Sequence, residues 1–360
     1  MVTGQTPEEF KSTYGRYLHK KTVFIALCIV VAFIAMGIEL SQGHYHISML
    51  ESYQILWDHI TGKTLTTWDE IEADMVVWDM RLPRVLAGLA VGAAFGVCGA
   101  AMQSSLKNPL ADPYTTGISA GASFGACLAI ILGTSILPGI VGETAIVINA
   151  FIFALIPALV IILVSTFKKK ITSTGMILIG IAVMYVFTAA TNLFRFVATD
   201  DKLQDLYVWN VGTLSRASWD NVWLMIGAAI LGIVAIQYLA RRLNVLVMCD
   251  QNAITLGVDP KKTRIIVLAL VSLVTATMVS FTGTIGFVGL VSPHIARIIL
   301  GSDNRYLTLA SAAFGAMLLL VSDIIAKSAG TSGLPVGTIT AIIGGPLFLY
   351  LLIKNSKYGA

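Results

Sequence analysis

Few residues in this sequence are of types that could do chemistry, and the clearest is an acid inside an apolar run. Asp323 lies in the apolar segment 320–324, where a carboxylate is costly and is therefore a candidate for ion or proton coupling. Lys327 follows four residues later, one helical turn away, so a local ion pair near the end of a helix is the alternative that we favour.

Metal binding and catalysis have little support in the other polar residues. His44 and His46 would share one face of an extended strand, but no third ligand is apparent nearby, so a solvated loop is the favoured interpretation. The sequence contains no Gly-x4-Gly-Lys-Ser/Thr phosphate loop, no Gly-x-Ser-x-Gly elbow and no His-Glu-x-x-His pair. We expect no metal or cofactor in this chain, no ATPase site of its own and no catalysis by this chain alone.

The composition is that of a membrane protein. Hydrophobic residues make up 56% of the 360 residues and charged residues only 12%, whereas soluble domains carry about 25% charged residues. The mean hydropathy of +0.81 agrees. A soluble domain and a disordered chain are therefore excluded, and the net charge of +4 is too small to indicate nucleic-acid binding.

Apolar runs long enough to cross a bilayer, about 20 residues each, occur ten times. They lie at 22–40, 85–106, 116–137, 145–167, 174–194, 222–240, 265–281, 285–300, 307–329 and 335–353. The fold class that they predict is all-α, a polytopic membrane protein of about ten transmembrane helices. The first run could instead be a cleaved signal peptide, but it is long and lacks a small-residue cleavage site, so a retained span is favoured.

The distribution of positive charge predicts the orientation. With the amino terminus in the cytoplasm, 17 of the 24 Lys and Arg residues lie on the cytoplasmic side, as the positive-inside rule requires. Both termini are then cytoplasmic. The domains are a cytoplasmic segment 1–21, one transmembrane domain 22–353 and a cytoplasmic tail 354–360. Within the domain, the outer loop 41–80 has seven acids against Lys63, and 241–264 is the longest cytoplasmic connection.

Glycines recur every four residues in two neighbouring runs. The series are Gly88, Gly92 and Gly96 in the first and Gly117, Gly121 and Gly125 in the second. This spacing lets two helices touch along their backbones, so tight packing within one bundle is the favoured interpretation. A dimer interface or a substrate path is the alternative.

Four motifs, taken in order, are far more specific than hydropathy. The first is Arg-Leu-Pro-Arg at 81–84, and the second is Asn-Pro-Leu-Ala-Asp-Pro at 108–113, followed by Gly-Ile-Ser-Ala-Gly-Ala at 117–122. The third is the run from Gly283 to Arg297, which contains Gly-Phe-Val-Gly-Leu-Val-Ser-Pro-His. The fourth is Leu-Pro-Val-Gly-Thr at 334–338, which continues to Gly-Gly-Pro at 344–346. From about residue 80 to 353 the chain resembles the FecCD family of permeases. These are the membrane subunits of ATP-binding-cassette importers for iron–siderophores, haem and cobalamin.

The resemblance implies the fold of the family's cobalamin permease and a set of partners. These are a second permease subunit, identical or related, two cytoplasmic ATPases that bind ATP and Mg, and an extracytoplasmic substrate-binding protein. The expected location is a prokaryotic cytoplasmic (inner) membrane, in contact with the lipid bilayer and not with nucleic acid. The expected cargo is an iron–siderophore or a related metal chelate such as haem or cobalamin. The alternative, a secondary transporter coupled to an ion gradient through Asp323, leaves segment 241–264 unexplained.

The resemblance also implies three groups of site residues. Arg81, Arg84 and Lys327 match cations that dock acidic residues of the binding protein. Anchoring of a helix end at the membrane interface is the alternative for the two arginines.

The cytoplasmic gate of the family matches Asn108 and Leu110 in one loop and Ser173 and Thr174 in another, with ordinary surface turns as the alternative. The loop that couples to the ATPase matches 241–264, which the resemblance implies is two short helices. Its matching residues are Asp250, Ala253, Leu256 and Gly257. Here Cys249-Asp250 replaces the family's usual Gly-Glu, and Gly257 follows Leu256 as a helix stop.

Overall fold

The computed structural model describes residues 7–43, 45–168, 171–329 and 333–356, and within these ranges the chain forms helices and no β-strand. His44, one of the two histidines considered above, lies outside the described residues. The helices are α1 (Pro7–Ser41), α2 (Met49–Thr61), α3 (Trp68–Asp74), α4 (Leu82–Leu106), α5 (Ile118–Leu132), α6 (Gly142–Phe167), α7 (Ser173–Val197), α8 (Asp200–Val211), α9 (Trp219–Met248), α10 (Asp250–Thr255), α11 (Pro260–Thr282), α12 (Val288–Leu300), α13 (Asn304–Ser328) and α14 (Val336–Ser356).

The ten predicted spans correspond to ten apolar helices among the described residues. Seven are long enough to cross a membrane by length and composition, and α5, α12 and the apolar part of α14 are shorter. The all-α polytopic fold predicted from hydropathy is thus confirmed. Following the orientation predicted from charge, the end of the bundle that contains Arg84 is called the outer end, and the end that contains α10 the inner end.

The outer segment 41–80, which the sequence leaves without an assignment, forms a helical hairpin of α2 and α3. Each helix begins with a capping box, Ser48 with Glu51 and Thr67 with Glu70, which satisfies the first backbone N–H groups. A π-helical segment, Met75–Arg81, joins α3 to α4, so Trp68–Leu106 is one continuous helix of 39 residues. This helix exceeds the roughly 30 Å hydrocarbon core at about 1.5 Å per residue, so its first turns project from the membrane.

The glycine series are used for packing inside the subunit. The central helix α4 is buried along most of its length, and Gly92 and Gly96 press against the backbone of α13. A Cβ atom at Gly96 would lie 2.0 Å from the carbonyl oxygen of Ser311. In the second series, Gly121 and Gly125 meet carbonyl oxygens of α6 in the same way. The favoured interpretation of the spacing, tight helix packing, is therefore confirmed.

Replacing Gly96 with alanine is expected to destabilise the fold by about 1–3 kcal/mol, because α4 and α13 must separate to admit the methyl group. The matched control is Gly227→Ala in α9, where a Cβ meets nothing within 4 Å. That control should be neutral or stabilising by about 0.5–1 kcal/mol. Thermal melting of the detergent-solubilised variants measures both, and equal melting temperatures would contradict the packing role of Gly96.

Candidate functional site

A buried cluster of four charges ties α1, α4 and α13 together at the outer end. Arg84 grips Asp323 through two hydrogen bonds, from Nε to Oδ2 and from Nη2 to Oδ1, each 2.7 Å. Lys327 donates to Glu39 Oε1 at 3.1 Å. Both carboxylates are fully buried. The cluster pairs two basic side chains with two acidic ones, so each buried acid has a basic partner, as buried ionisable groups require.

The predicted ion pair between Asp323 and Lys327 is wrong, because each of the two residues has a different partner. Among the described residues, Asp323 pairs with Arg84 of α4, and Lys327 pairs with Glu39 of α1. The i, i+4 spacing brings Lys327 near Asp323, but a guanidinium offers two parallel donors to one carboxylate and an ammonium does not. The missed partner, Glu39, carried a signal, since it is a carboxylate at the end of the first apolar run.

Arg81 is turned into the protein and holds the outer end of α1. Its Nη1 donates to the carbonyl oxygen of Leu40 at 2.5 Å and its Nη2 to that of Tyr45 at 2.7 Å. Only 7% of the residue is exposed. Arg81 therefore holds the end of α1 to the start of α4 within the protein, and both docking and anchoring at the membrane interface stay predictions for this residue.

The three predicted docking residues do share one cavity. It has a volume of about 930 Å³ and opens at the outer end, between the end of α1, the start of α4, the α8–α9 connection and the α13–α14 connection. Arg81, Arg84 and Lys327 line it together with Arg216 and His46. None of the described residues that line it is an aspartate or glutamate. The fold has thus concentrated positive charge where the sequence resemblance implies an acidic partner.

The predicted gate residues lie at the inner ends of α4 and α7. Asn108 Oδ1 accepts a hydrogen bond from the Leu110 N–H at 2.9 Å, which closes a tight turn and leaves Leu110 45% exposed. Ser173 and Thr174 begin α7, and the N-cap is Thr172, whose side chain accepts from the Gly175 N–H. The structure gives both segments defined local geometry, and their role as a gate stays a prediction.

Tyr114, in the connection between α4 and α5, links the segment after Asn108 and Leu110 to other helices of the bundle. The Tyr114 ring packs edge-on against Phe95, with ring centroids 5.8 Å apart. Its hydroxyl accepts a hydrogen bond from the Ile285 N–H at 3.0 Å. The neighbouring Thr284 hydroxyl donates to the carbonyl oxygen of Asn210 in α8. One chain of hydrogen bonds therefore joins the α4–α5 connection, the irregular backbone before α12 and the outer helix α8.

The predicted coupling segment 241–264 consists of the last two turns of α9, the short helix α10 and the first turn of α11. The resemblance implies two short helices, and the structure has one because α9 continues to Met248. Ala253 is fully buried and packs α10 onto the bundle. Leu256 is 61% exposed, and Gly257 adopts a left-handed conformation with φ of 78°, which makes it the predicted helix stop.

Asp250 holds α10 in place from the inside. Its carboxylate accepts two hydrogen bonds from the Arg264 guanidinium, at 2.7 and 2.9 Å, and one from Lys107 at 2.8 Å. These three residues join the ends of α4, α10 and α11. The carboxylate predicted to contact an ATPase is therefore committed to partners within this chain, and it acts on the inner surface by positioning α10.

The ion pairs of Asp250 predict a defined pH dependence. The Arg264 guanidinium holds the pKa of the Asp250 carboxyl well below its ordinary value of 3.8. Because the folded-state pKa is depressed, its stabilisation is complete above that ordinary value and is lost as the pH falls below it. Hydrogen exchange of the α10 amides should show constant protection between about pH 5 and 8.

Asp250→Asn should speed that exchange about two- to fivefold throughout the range from about pH 5 to 8, because the side chain is 46% exposed and such pairs contribute roughly 0.5–1 kcal/mol. Wild-type rates in the variant would contradict the positioning role.

A family model, two relatives and a solved structure all match this chain over most of its length. The model of the FecCD transport family matches residues 27–354. An ABC transporter permease protein of Methanocaldococcus jannaschii is 39% identical over 351 residues, covering 96% of this chain and 98% of the relative. A cobalamin import system permease of Halobacterium salinarum is 38% identical over 280 residues, covering 78% of this chain and 74% of the relative. The solved structure of a metal-chelate type ABC transporter in an inward-facing conformation matches with a TM-score of 0.79 and 26% identity, covering 92% of this chain and 98% of that one.

Proposed function

Because the chain belongs to the FecCD transport family and is a membrane-spanning permease subunit of an ATP-binding-cassette importer, we propose that it forms one half of the path by which a metal chelate enters the cell. A relative named for cobalamin import and a structural neighbour of metal-chelate type support this class of cargo. An iron–siderophore is the first candidate, with haem and cobalamin next. The other half of the path is a second permease, identical or related.

The path runs along α7, whose exposed face is partly polar. Tyr185 is 66% exposed, and Thr188 and Asn192, three and seven residues later on the same face, are also exposed. Polar groups at membrane depth face a protein interior or an aqueous cavity in preference to lipid. The second permease would face α7 across this cavity, with Asn108, Leu110, Ser173 and Thr174 of each subunit closing its inner end.

ATP binding and hydrolysis belong to partner subunits at the inner end, and the observation that carries this part is the surface around α10. Ile254 is 64% exposed and Leu256 61%, and Met248 beside them is 67% exposed. The spans predicted from hydropathy, 222–240 and 265–281, leave these side chains outside the membrane, so we expect no lipid to cover them. Such an apolar patch marks a protein interface. A short helix in a cleft of the ATPase would transmit closure of the ATPase as a rigid-body movement.

The ion-coupled alternative requires Asp323 as a free carboxylate, and among the described residues Asp323 is paired with Arg84. The Asp323 carboxylate accepts two hydrogen bonds from the Arg84 guanidinium and is fully buried. An importer with both termini in the cytoplasm also puts α10 on the side where ATP is available.

Uptake by the purified importer in liposomes tests this proposal. The importer is reconstituted with its binding protein, with ATP enclosed or absent on the α10 side, and is offered a ferric siderophore, haem or cobalamin. We expect uptake of one of these chelates that requires ATP and stops when the ATPase is inhibited. Uptake driven by a proton or sodium gradient without ATP would contradict the proposal.

A further inference from the structure

A second cavity, here called the α8 cavity, lies at the outer end beside the outer cavity that Arg84 lines. It has a volume of about 730 Å³ and lies between the first turns of α6 and α9, helix α8 and the last turn of α11. Its charged lining residues are Arg216, which also lines the outer cavity, and three exposed carboxylates, Glu143, Asp205 and Asp220. The α8 cavity therefore presents a cation beside a group of anions.

Two donors that line the α8 cavity have no acceptor in the part of the chain that the structure describes. Trp209 is fully buried, and its indole N–H makes no hydrogen bond there, although a buried indole N–H ordinarily has a partner. The Arg216 guanidinium is close enough to Glu143 and Asp205 for their charges to act on it, but it forms no ion pair or hydrogen bond with either. Both donors suit an anionic or polar acceptor that enters from outside the chain.

An apolar groove continues from the α8 cavity along the bundle. It has a volume of about 900 Å³, lies between α6, α9 and α11, and shares Val147, Ser280 and Phe281 with the α8 cavity. The Ser280 hydroxyl donates to a carbonyl oxygen of its own helix, so it asks for no partner in the groove. Leu231, which also lines the groove, is 71% exposed. One continuous depression thus has a charged end and an apolar end.

The position and length of the groove fit one leaflet of a bilayer. On α9 it extends from Leu224 to Ala235, which is about 16 Å at about 1.5 Å per residue. The hydrocarbon core of a bilayer is about 30 Å thick, so the groove covers about half of it, from the outer end inward. None of the described residues that line the groove belongs to α7, the helix proposed to face the second permease. Lipid of the outer leaflet therefore reaches the groove.

We propose that the groove and the α8 cavity together bind one lipid of the outer leaflet whose headgroup joins a phosphate to a primary ammonium, as in phosphatidylethanolamine. Its acyl chains lie in the groove between α6, α9 and α11. Its phosphate accepts hydrogen bonds from the Arg216 guanidinium and the Trp209 N–H, and its ammonium donates to the exposed carboxylates. The occupant is a component of the membrane, distinct from the cargo and from the protein partners.

Charge complementarity favours this headgroup over those of other phospholipids. A guanidinium binds a phosphate through two parallel hydrogen bonds, and a primary ammonium has three N–H groups to donate to carboxylates. Phosphatidylglycerol would bring a phosphate to Arg216 without a cation for Glu143, Asp205 and Asp220, which repel it. Phosphatidylcholine brings a cation that has no N–H group. Only the aminophospholipid of these three satisfies both signs of charge by hydrogen bonds.

Native mass spectrometry of the delipidated importer tests this site. The probes are phosphatidylethanolamine, phosphatidylcholine and phosphatidylglycerol with identical acyl chains, each added singly in detergent. The first phosphatidylethanolamine bound per permease subunit should have a Kd about tenfold lower than that of the other two lipids, because charged hydrogen bonds are the strong ones. Soluble glycerophosphoethanolamine at the same concentration should not displace the lipid, because it has the headgroup but no chain to occupy the groove.

Three variants separate the headgroup contacts from the chain contacts. Arg216→Gln should weaken phosphatidylethanolamine binding about tenfold, and Glu143→Gln should narrow the preference over phosphatidylcholine. Gly227→Leu should weaken binding of all three lipids, because Gly227 lines the groove and a Cβ there meets nothing within 4 Å. The matched controls are Arg195→Gln, at an exposed arginine of α7, and Ile230→Phe, at a residue of α9 that is 55% exposed; neither residue lines the α8 cavity or the groove. Both controls should bind lipid as the unmodified importer does.

Each contrary outcome would overturn a different part of the proposal. Equal Kd values for the three lipids would show that the α8 cavity selects no headgroup. Unchanged lipid binding by Gly227→Leu would show that the acyl chains lie elsewhere. Displacement of the lipid by glycerophosphoethanolamine at equal concentration would show that the α8 cavity takes a soluble amine and that the groove contributes nothing.

Discussion

Replacing Asp323 with alanine is expected to cost the fold about 3–5 kcal/mol, the largest stability effect of any single substitution considered for this protein. The substitution leaves the Arg84 guanidinium without its carboxylate, although only 19% of that side chain is exposed. The guanidinium then lacks its hydration, and the Ser215 hydroxyl at 3.0 Å and the Glu39 carboxylate at 3.9 Å replace the lost interactions only in part. We expect little folded protein in the membrane and a lower melting temperature in what remains.

A surface ion pair of equal length gives the control. Lys63 and Asp58 in the outer hairpin also lie 2.7 Å apart, but their side chains are 49% and 21% exposed. Asp58→Ala should therefore cost less than about 1 kcal/mol. The double variant Arg84→Met with Asp323→Leu should recover most of the stability lost by Asp323→Ala, because it removes both charges and fills the space. Equal effects of Asp323→Ala and Asp58→Ala would contradict the buried cluster.

Replacing Leu256 with aspartate is expected to abolish ATP-driven transport while the permease still folds. Leu256 is 61% exposed, so the new carboxylate meets water in the isolated subunit and costs little there. In a cleft of the ATPase the same carboxylate would lose its hydration without a partner, at several kcal/mol. A loss of that size weakens the association more than 100-fold, since each 1.4 kcal/mol is a factor of ten.

Co-purification of the ATPase measures this effect. The control is Lys262→Asp, which puts a new carboxylate on the same inner surface at a side chain that is 82% exposed and outside α10. That variant should keep the ATPase. Retention of both the ATPase and transport by Leu256→Asp would show that α10 is not the coupling element.

The spans and their packing could be predicted from the sequence because both follow from local composition. The lengths of the apolar runs predict the ten helices, and the four-residue spacing of glycines predicts that α4 packs closely against another helix, which is α13. The hairpin of α2 and α3 was missed, although Ser48 with Glu51 and Thr67 with Glu70 spell two capping boxes. Segment 41–80 is acidic, and hydropathy identifies only membrane-spanning helices, so these two helices were not predicted.

The charge cluster could not be derived in the same way because its partners are distant in sequence. Arg84 and Asp323 are 239 residues apart and Glu39 and Lys327 are 288 apart. Local spacing paired Asp323 with Lys327, the nearest cation along the chain, and only the packing of α1, α4 and α13 shows the true partners. The position of Arg216 in the lining of the outer cavity could not be predicted for the same reason, since no sequence pattern in the α8–α9 connection indicates it.

Native mass spectrometry of the complex purified from its own membrane in mild detergent tests the central assignment most directly. We predict an assembly of two permease subunits, at least one of them this chain, with two ATPase subunits that carry the phosphate-binding loop absent here. A clean oligomer of this chain without an ATPase, seen in more than one detergent, would contradict the importer assignment.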